Sequence, residues 1–387
     1  MKKVLALLLA LAMVFSFAAC GKKEEPAPQQ GGEKPAEVNK TFKIGLTGPL
    51  TGPVAIYGTA VKNGAQIAVD EINAKGDIKF EYRAEDDEHD TEKADNAYNT
   101  LMDWGMQIML GTVTSAPAEV TAANADRDRM FFLTPSASSS NVTEGKSCVF
   151  QMCFTDPNQG VGAADYMNAK KLGTKYFTIY QSDSDYSKGI YDKFVAEAGK
   201  VGLNIVGAAS FITDAKDFTV QINDAKKAGA DVVFLPMYYQ EASLILKQAK
   251  DAGFAPIFFG VDGMDGILTL DGFDTTLAEG VALLTPFDAT ASGSKAFVDA
   301  YKAAYKEEPN QFAADAYDCV YAVYEAIKAS GVTGDMKYQD ICEKLVKTFT
   351  SFKFSGLTGS DMTWAKNGEV SKAPNAVVIN NGAYVSY

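Results

Sequence analysis

From Thr41 onward the chain alternates short apolar runs with longer amphipathic segments, and this alternation constrains the fold more than any other feature. FKIGLT (42–47) reads as a buried strand. AIYGTAVKNGAQIAVDEINAKG (55–76) places Val61, Ala65, Ala68, Val69 and Ile72 on one helical stripe before Gly76 stops it. Strands at 78–83, 107–110 and 130–134 then alternate with helices at 92–104 and 116–126. Strand, helix, strand at that pitch predicts a parallel sheet with helices on both faces.

A second round follows a break, with strands at 176–181, 204–211, 231–236, 256–260 and 280–285 alternating with helices at 189–200, 217–229 and 241–253. The fold class expected is α/β, with two doubly wound parallel-sheet lobes facing each other across a cleft and ligand groups at the carboxyl ends of strands. Helical stretches at 294–306 and 311–330 could join either lobe. A chain of 387 residues suits two lobes better than one domain of about 100–200 residues.

Charge and composition narrow the function. A net charge of -13 and a pI near 4.7 leave no basic footprint, so nucleic acid is not expected as a partner. His89 is the single histidine, which removes most general acid–base catalysis and nearly every zinc site built on imidazole. No GxGxxG follows the first strand, and neither GxSxG nor a phosphate loop occurs. No enzyme activity, metal or cofactor is expected.

The first nineteen residues have the form of a signal peptide: Lys2 and Lys3, an apolar run from Val4 to Phe17, then Ala18 and Ala19. FAAC at 17–20, followed by Gly21, resembles a bacterial lipoprotein box with Cys20 as the lipid-bearing residue, although Phe17 stands where Leu is usual. Residues 20–40, rich in Lys, Glu, Pro, Gln and Gly, read as a flexible tether. The expectation is a folded body outside the cytoplasm, held at the membrane by a lipid.

Candidate ligand groups sit at strand ends. QIMLGTVTSAPAE puts Ser115 at a helix start, where a hydroxyl and a free N–H suit a carboxylate. MFFLTPSASSS ends a strand in a hydroxyl-rich loop with Ser136 and Ser138. In the second half Tyr238 follows one strand and Asp262 the next, an arrangement suited to a cationic group. Each position also has a plainer reading as an N-cap or turn residue. EDDEHD (85–90) lacks calcium-loop spacing and reads as a solvated acidic loop in which Asp90 or Thr91 caps the next helix. Cys148 and Cys153 lie too far apart along an extended run to bridge, whereas Cys319 and Cys342 could pair or remain buried thiols.

IGLTGPLTGPVAIYG, NGAQIAVDEINAKGDI, EYRAEDDEHDTEKA, GTVTSAPA, TPSASSS, DSDYSKG and FFGVDG occur in the order, and at about the spacing, of the leucine/isoleucine/valine-binding proteins of ABC importers. The resemblance runs from Phe42 to the end of the chain. It implies a type I periplasmic-binding (Venus-flytrap) fold with three hinge crossings. One lobe would comprise 41–155 plus 286–366, and the other 156–285 plus 367–387. It also implies site roles. Ser115 and Ser138 would hold a ligand carboxylate, and the Ser136 carbonyl and Asp262 its ammonium. Tyr238 would reach across from the second lobe, while Tyr57, Val113, Thr114, Tyr186 and Phe312 would line the pocket or its mouth.

Departures from the family pattern leave branched-chain specificity open. Asp262 stands where Glu is found, Ser136 and Ser138 replace Ala and Thr, and Ala314 occupies a position that can hold a bulky aromatic, which suggests a roomier pocket. The expected protein is a monomeric substrate-binding lipoprotein that captures a free amino acid, branched-chain or otherwise apolar or aromatic, for the permease and ATPase of an ABC importer. A ligand-sensing ectodomain, or a binder of an amide, urea or aromatic acid, is the alternative.

Overall fold

β1 (Thr41–Gly48) is buried along most of its length, as a central strand covered on both faces must be. It pairs in parallel with β2 (Lys79–Asp86) on one side and β3 (Ile108–Leu110) on the other, with Ile44 opposite Tyr82 and Ile108. β4 (Phe131–Thr134) and β5 (Val149–Gln151) complete a sheet of order β2-β1-β3-β4-β5. That order reverses between β1 and β3, the position at which doubly wound sheets open a crevice at their carboxyl ends. These elements belong to a computed structural model that describes residues 38–387. The expected signal peptide, Cys20 and the tether as far as residue 37 lie outside the described residues.

The helices of the first sheet start and stop where local chemistry dictates. α1 (Ala55–Lys75) ends at Gly76, which adopts the left-handed conformation. α2 (Thr91–Trp104) is capped by Asp90, whose side chain accepts from the Lys93 N–H. α3 (Ser115–Asp128) begins immediately beyond β3.

The second sheet repeats the plan. β6 (Tyr176–Gln181), β7 (Ile205–Phe211), β8 (Val232–Leu235), β9 (Ile257–Gly260) and β10 (Ala282–Thr285) are parallel in the order β7-β6-β8-β9-β10. Here the structure adds to the sequence reading. β11 (Asn375–Asn380) and β12 (Ala383–Ser386) join antiparallel at the β10 edge, linked by Asn381 and Gly382, both at positive φ. α4 (Asp156–Lys170) was also not expected, because Pro157, Gly160 and Gly162 break its helical pattern. Pro157 sits in the first turn, where its missing N–H has no cost, and a Cβ at Gly160 would overlap the Ile190 carbonyl of α5 (Asp185–Val201).

α6 (Thr219–Lys227) and α7 (Tyr239–Asp251) also belong to the second sheet's lobe, whereas α8 (Lys295–Tyr305) and α9 (Gln311–Ser330) pack on α1. α10 (Tyr338–Phe349) packs on α9 and β4. The chain thus passes between the sheets after β5, after β10 and before β11. Among the described residues no helix is long and apolar enough to cross a membrane. Cys148, Cys153, Cys319 and Cys342 are all buried free thiols.

Candidate functional site

The loops after β3 and β4 make the first wall. Ser115 opens α3, and its Oγ accepts from the Ser139 N–H at 3.2 Å. The Ser136 hydroxyl donates to the Val113 carbonyl at 2.7 Å, which commits the side chain to the loop. Thr134 Oγ1 accepts from the Ala137 N–H at 2.9 Å and donates to the Thr112 carbonyl at 2.7 Å, locking the turn. Ser138, 1 % exposed, has no partner for its hydroxyl.

The second wall comes from the other sheet. Tyr186, at the start of α5, donates its phenol to Asp262 Oδ1 at 2.6 Å and accepts from the Gly263 N–H at 3.0 Å. The Asp262 N–H donates to Gln159 Oε1 at 3.1 Å, and the Asp262 carbonyl accepts from Gln311 Nε2 at 3.0 Å. Burial lifts the Asp262 carboxyl to about 7 against the pull of the Tyr186 hydroxyl.

Aromatic rings close the space between the walls. Tyr238 stacks on Tyr186 with centroids 4.7 Å apart and meets Tyr57 edge-on at 5.3 Å. Tyr57 lies against Phe312 at 4.5 Å and donates its hydroxyl to the Gly263 carbonyl, so α1 is tied to the opposite lobe. Tyr239 adds a further tie, donating to the Pro53 carbonyl at 2.8 Å.

All ten positions expected from the sequence (Tyr57, Val113, Thr114, Ser115, Ser136, Ser138, Tyr186, Tyr238, Asp262 and Phe312) line one cavity, together with Gly263. With the lobes together that cavity is about 10 Å³, room for about one water. The roomier pocket expected from Ala314 is therefore not found in this arrangement: Ala314 is buried and does not line the cavity.

Three residues behind the cavity lining, in contact with it but not part of it, escaped sequence reasoning. Asp156, the first residue of α4, is 2 % exposed and neither of its carboxylate oxygens has a hydrogen-bond partner. Burial holds its carboxyl well above the usual range; the nearby Ser138 hydroxyl pulls it down, and the charges of Asp262, Glu119 and Asp185 push it higher. Gln159 carries an unpartnered Nε2 beside them. His89 bonds through Nδ1 to Thr114 Oγ1 at 2.8 Å and meets the Tyr238 ring edge-on at 5.9 Å. The acidic loop that carries it is also not wholly solvated as expected: Asp87 is fully buried, which lifts its carboxyl to about 7. The only available signal for Asp156 was its place one residue before Pro157, at a helix start.

Among the described residues no Lys or Arg lines the cavity. The Asp262 carboxyl in the lining, with the buried Asp156 behind it, and the hydroxyls at the N-terminus of α3 make a site that can hold an ammonium at one end and a carboxylate at the other.

The family model described as periplasmic binding protein matches residues 41–383. A Leu/Ile/Val-binding protein homolog of Brucella melitensis is 32 % identical over 298 residues, 76 % of this chain and 80 % of that protein. The branched-chain amino acid transporter substrate binding protein LivJ from Streptococcus pneumoniae, solved in complex with isoleucine, is 30 % identical with a TM-score of 0.81, covering 90 % of this chain and 98 % of that one. A solute binding protein of an R. palustris ABC transporter, in complex with benzoate, shares the fold at a TM-score of 0.79 and 20 % identity, covering 89 % and 95 % of the two chains.

Proposed function

The chain belongs to the periplasmic binding protein family, among the substrate-binding proteins of branched-chain amino acid ABC transporters, and from that premise we propose that it captures a free apolar or aromatic amino acid between its lobes and delivers it to a permease. The observation that carries the choice of ligand class is the uncompensated pair Asp156 and Asp262. Burying carboxylates without a cation is costly, so the site favours a ligand that brings one. An aromatic acid such as benzoate brings the wrong charge for that wall.

The roles follow from position. Ser115 and Ser138 receive the ligand carboxylate at the N-terminus of α3. Asp262, oriented by Tyr186, and Asp156 receive the ammonium, with the Ser136 carbonyl as a further acceptor. Because the closed cavity admits about one water, binding requires the lobes to part or the Tyr238 ring to swing, and closure then completes the contacts. Lobe one is taken as 41–155 with 286–366, and lobe two as 156–285 with 367–387. The lipoprotein-like sequence at 17–20 supports an anchor through Cys20, with the folded body held outside the membrane as a monomer that performs no chemistry on its ligand.

A thermal-shift screen of the full chain tests the reading, against the twenty amino acids, urea, short amides and aromatic acids. A ligand at about 1,000 times its dissociation constant adds roughly 4 kcal/mol to the folded state, a shift of several degrees. The expected result is a shift with leucine, isoleucine, valine or phenylalanine that Asp262→Ala abolishes. A shift with amides or aromatic acids alone would reject the amino-acid assignment.

A further inference from the structure

Beyond the ligand cleft, a separate cavity of about 520 Å³ opens between the lobes on the side of β10 to β12. Its floor is apolar: Leu283, Phe287, Val298 and Val377 are each less than a tenth exposed. Its walls come from both lobes, with β10, β11 and β12 on one side and α8 and the segment after it on the other. Four carboxylates line it, Asp265, Asp288, Glu307 and Glu308, against one ammonium, Lys302, which is paired with Glu308.

Asp265 is the distinctive group. It is 4 % exposed, its Oδ2 accepts from the Gln311 N–H at 2.9 Å, its Oδ1 has no partner of good geometry, and the Tyr384 hydroxyl, also in the cavity lining, stands beside the carboxyl. Asp288 differs, since it accepts from the Thr290 N–H and hydroxyl at 2.8 and 2.6 Å and remains exposed at the rim. Burial lifts the Asp265 carboxyl to about 6, a direction that a bound cation would reverse.

We propose that this cavity is a second ligand site, which takes a small organic ammonium with a compact apolar body. The cation would sit at Asp265 Oδ1 and the body on the floor formed by Leu283, Phe287, Val298 and Val377. No group of three or more metal-ligating side chains occurs among the described residues, which favours an organic cation over a metal ion. The site is coupled to the ligand cleft by construction. Gln311, at the start of α9, holds Asp265 through its N–H and the Asp262 carbonyl through its side chain. An occupant touching both lobes also favours the closed arrangement over an open one.

Calorimetric titration of the full chain with cyclohexylamine tests this, with cyclohexanol and cyclohexanecarboxylate as neutral and anionic controls. Saturable amine binding is expected, at least tenfold tighter than either control. It should persist in Asp262→Ala, which disables the ligand cleft, and fall at least tenfold in Asp265→Asn. Ala289→Trp, which fills the cavity from its partly exposed hinge side, should abolish it independently of any folding defect in the Asp265 variant. No saturation at millimolar amine would overturn the proposal, as would amine binding that vanishes in Asp262→Ala yet survives both cavity variants. Because Asp262→Ala separates the two sites, failure here leaves the amino-acid reading standing, and the reverse.

Discussion

The Tyr186 hydroxyl and Asp262 Oδ1 stand 2.6 Å apart on the second lobe, both buried, and this bond fixes the direction in which the carboxylate faces the cleft. A hydrogen bond to a charged group is worth about 1.5–3 kcal/mol. Tyr186→Phe is therefore expected to weaken amino-acid binding roughly tenfold to a hundredfold by calorimetry at pH 7, with the loss partly recovered at pH 9, where Asp262 is ionised without help. An unchanged dissociation constant would mean that Asp262 does not contact the ligand ammonium.

Ligand affinity and unliganded stability should respond to pH in opposite directions. Asp262 rests at about 7 and Asp156 well above its usual range, so the unliganded site holds protons that an incoming ammonium must displace. The dissociation constant should fall as pH rises from 5 to 7, by up to about tenfold per unit for each proton displaced, and the part owed to Asp262 should level off above about 7. Both groups bind protons more tightly folded than unfolded, so their contribution to stability is complete below the unfolded value and is lost as pH rises through the folded one. The unliganded chain should melt higher at pH 5 than at pH 8 as far as this pair decides it. Affinity that is flat from pH 5 to 8 would exclude the pair as the ammonium site.

Asp156→Asn separates function from stability more sharply. It removes an acid whose ionised form burial disfavours and keeps the shape, so the unliganded chain at pH 8 should gain about 2 °C or more in midpoint while losing tenfold or more in amino-acid affinity. A variant that loses midpoint and keeps its affinity would show Asp156 to be structural.

Periodicity and caps made most of the fold legible. α1 stops at Gly76 and α9 runs from Gln311 to Ser330 as the apolar spacing and flanking residues require. α4 was hidden because Gly160 reads as a helix breaker until its role is seen, which is to let two helix backbones touch. Strands β11 and β12 were hidden because six- and four-residue runs carry little period, although Asn381-Gly382 is a hairpin signal. Ser115, Ser136, Ser138, Tyr238 and Asp262 were reachable because each lies just past a strand end, whereas Tyr57, Val113, Thr114, Tyr186 and Phe312 came only with the family resemblance, Tyr57, Tyr186 and Phe312 sitting in the first turns of α1, α5 and α9. Asp156 and His89 were not, since their importance comes from the crossing of two lobes: Asp156 follows a segment between sheets, and His89 sits in a loop that local chemistry explains as a helix cap.

The third passage between the sheets rests on a buried ion pair. Lys372 Nζ lies 2.6 Å from Asp315 Oδ1, with the two side chains 1 % and 2 % exposed, and donates to Thr358 Oγ1 at 2.6 Å. Thr358 in turn donates to Asp318 Oδ2 at 2.7 Å, so α9, which carries Phe312, is fastened to the chain entering β11. Lys372→Met leaves Asp315, already lifted to about 6 by burial, without its cation, and breaking such a pair costs about 3–5 kcal/mol. The expected fall in midpoint is roughly 5 °C, measured by calorimetry without ligand. Removing both charges, Asp315→Leu with Lys372→Met, should recover at least half of that loss, because an apolar pair of similar volume needs no compensation. If the double variant is no more stable than the single one, the network's value lies in the contacts of Thr358 and Asp318 rather than in the ion pair.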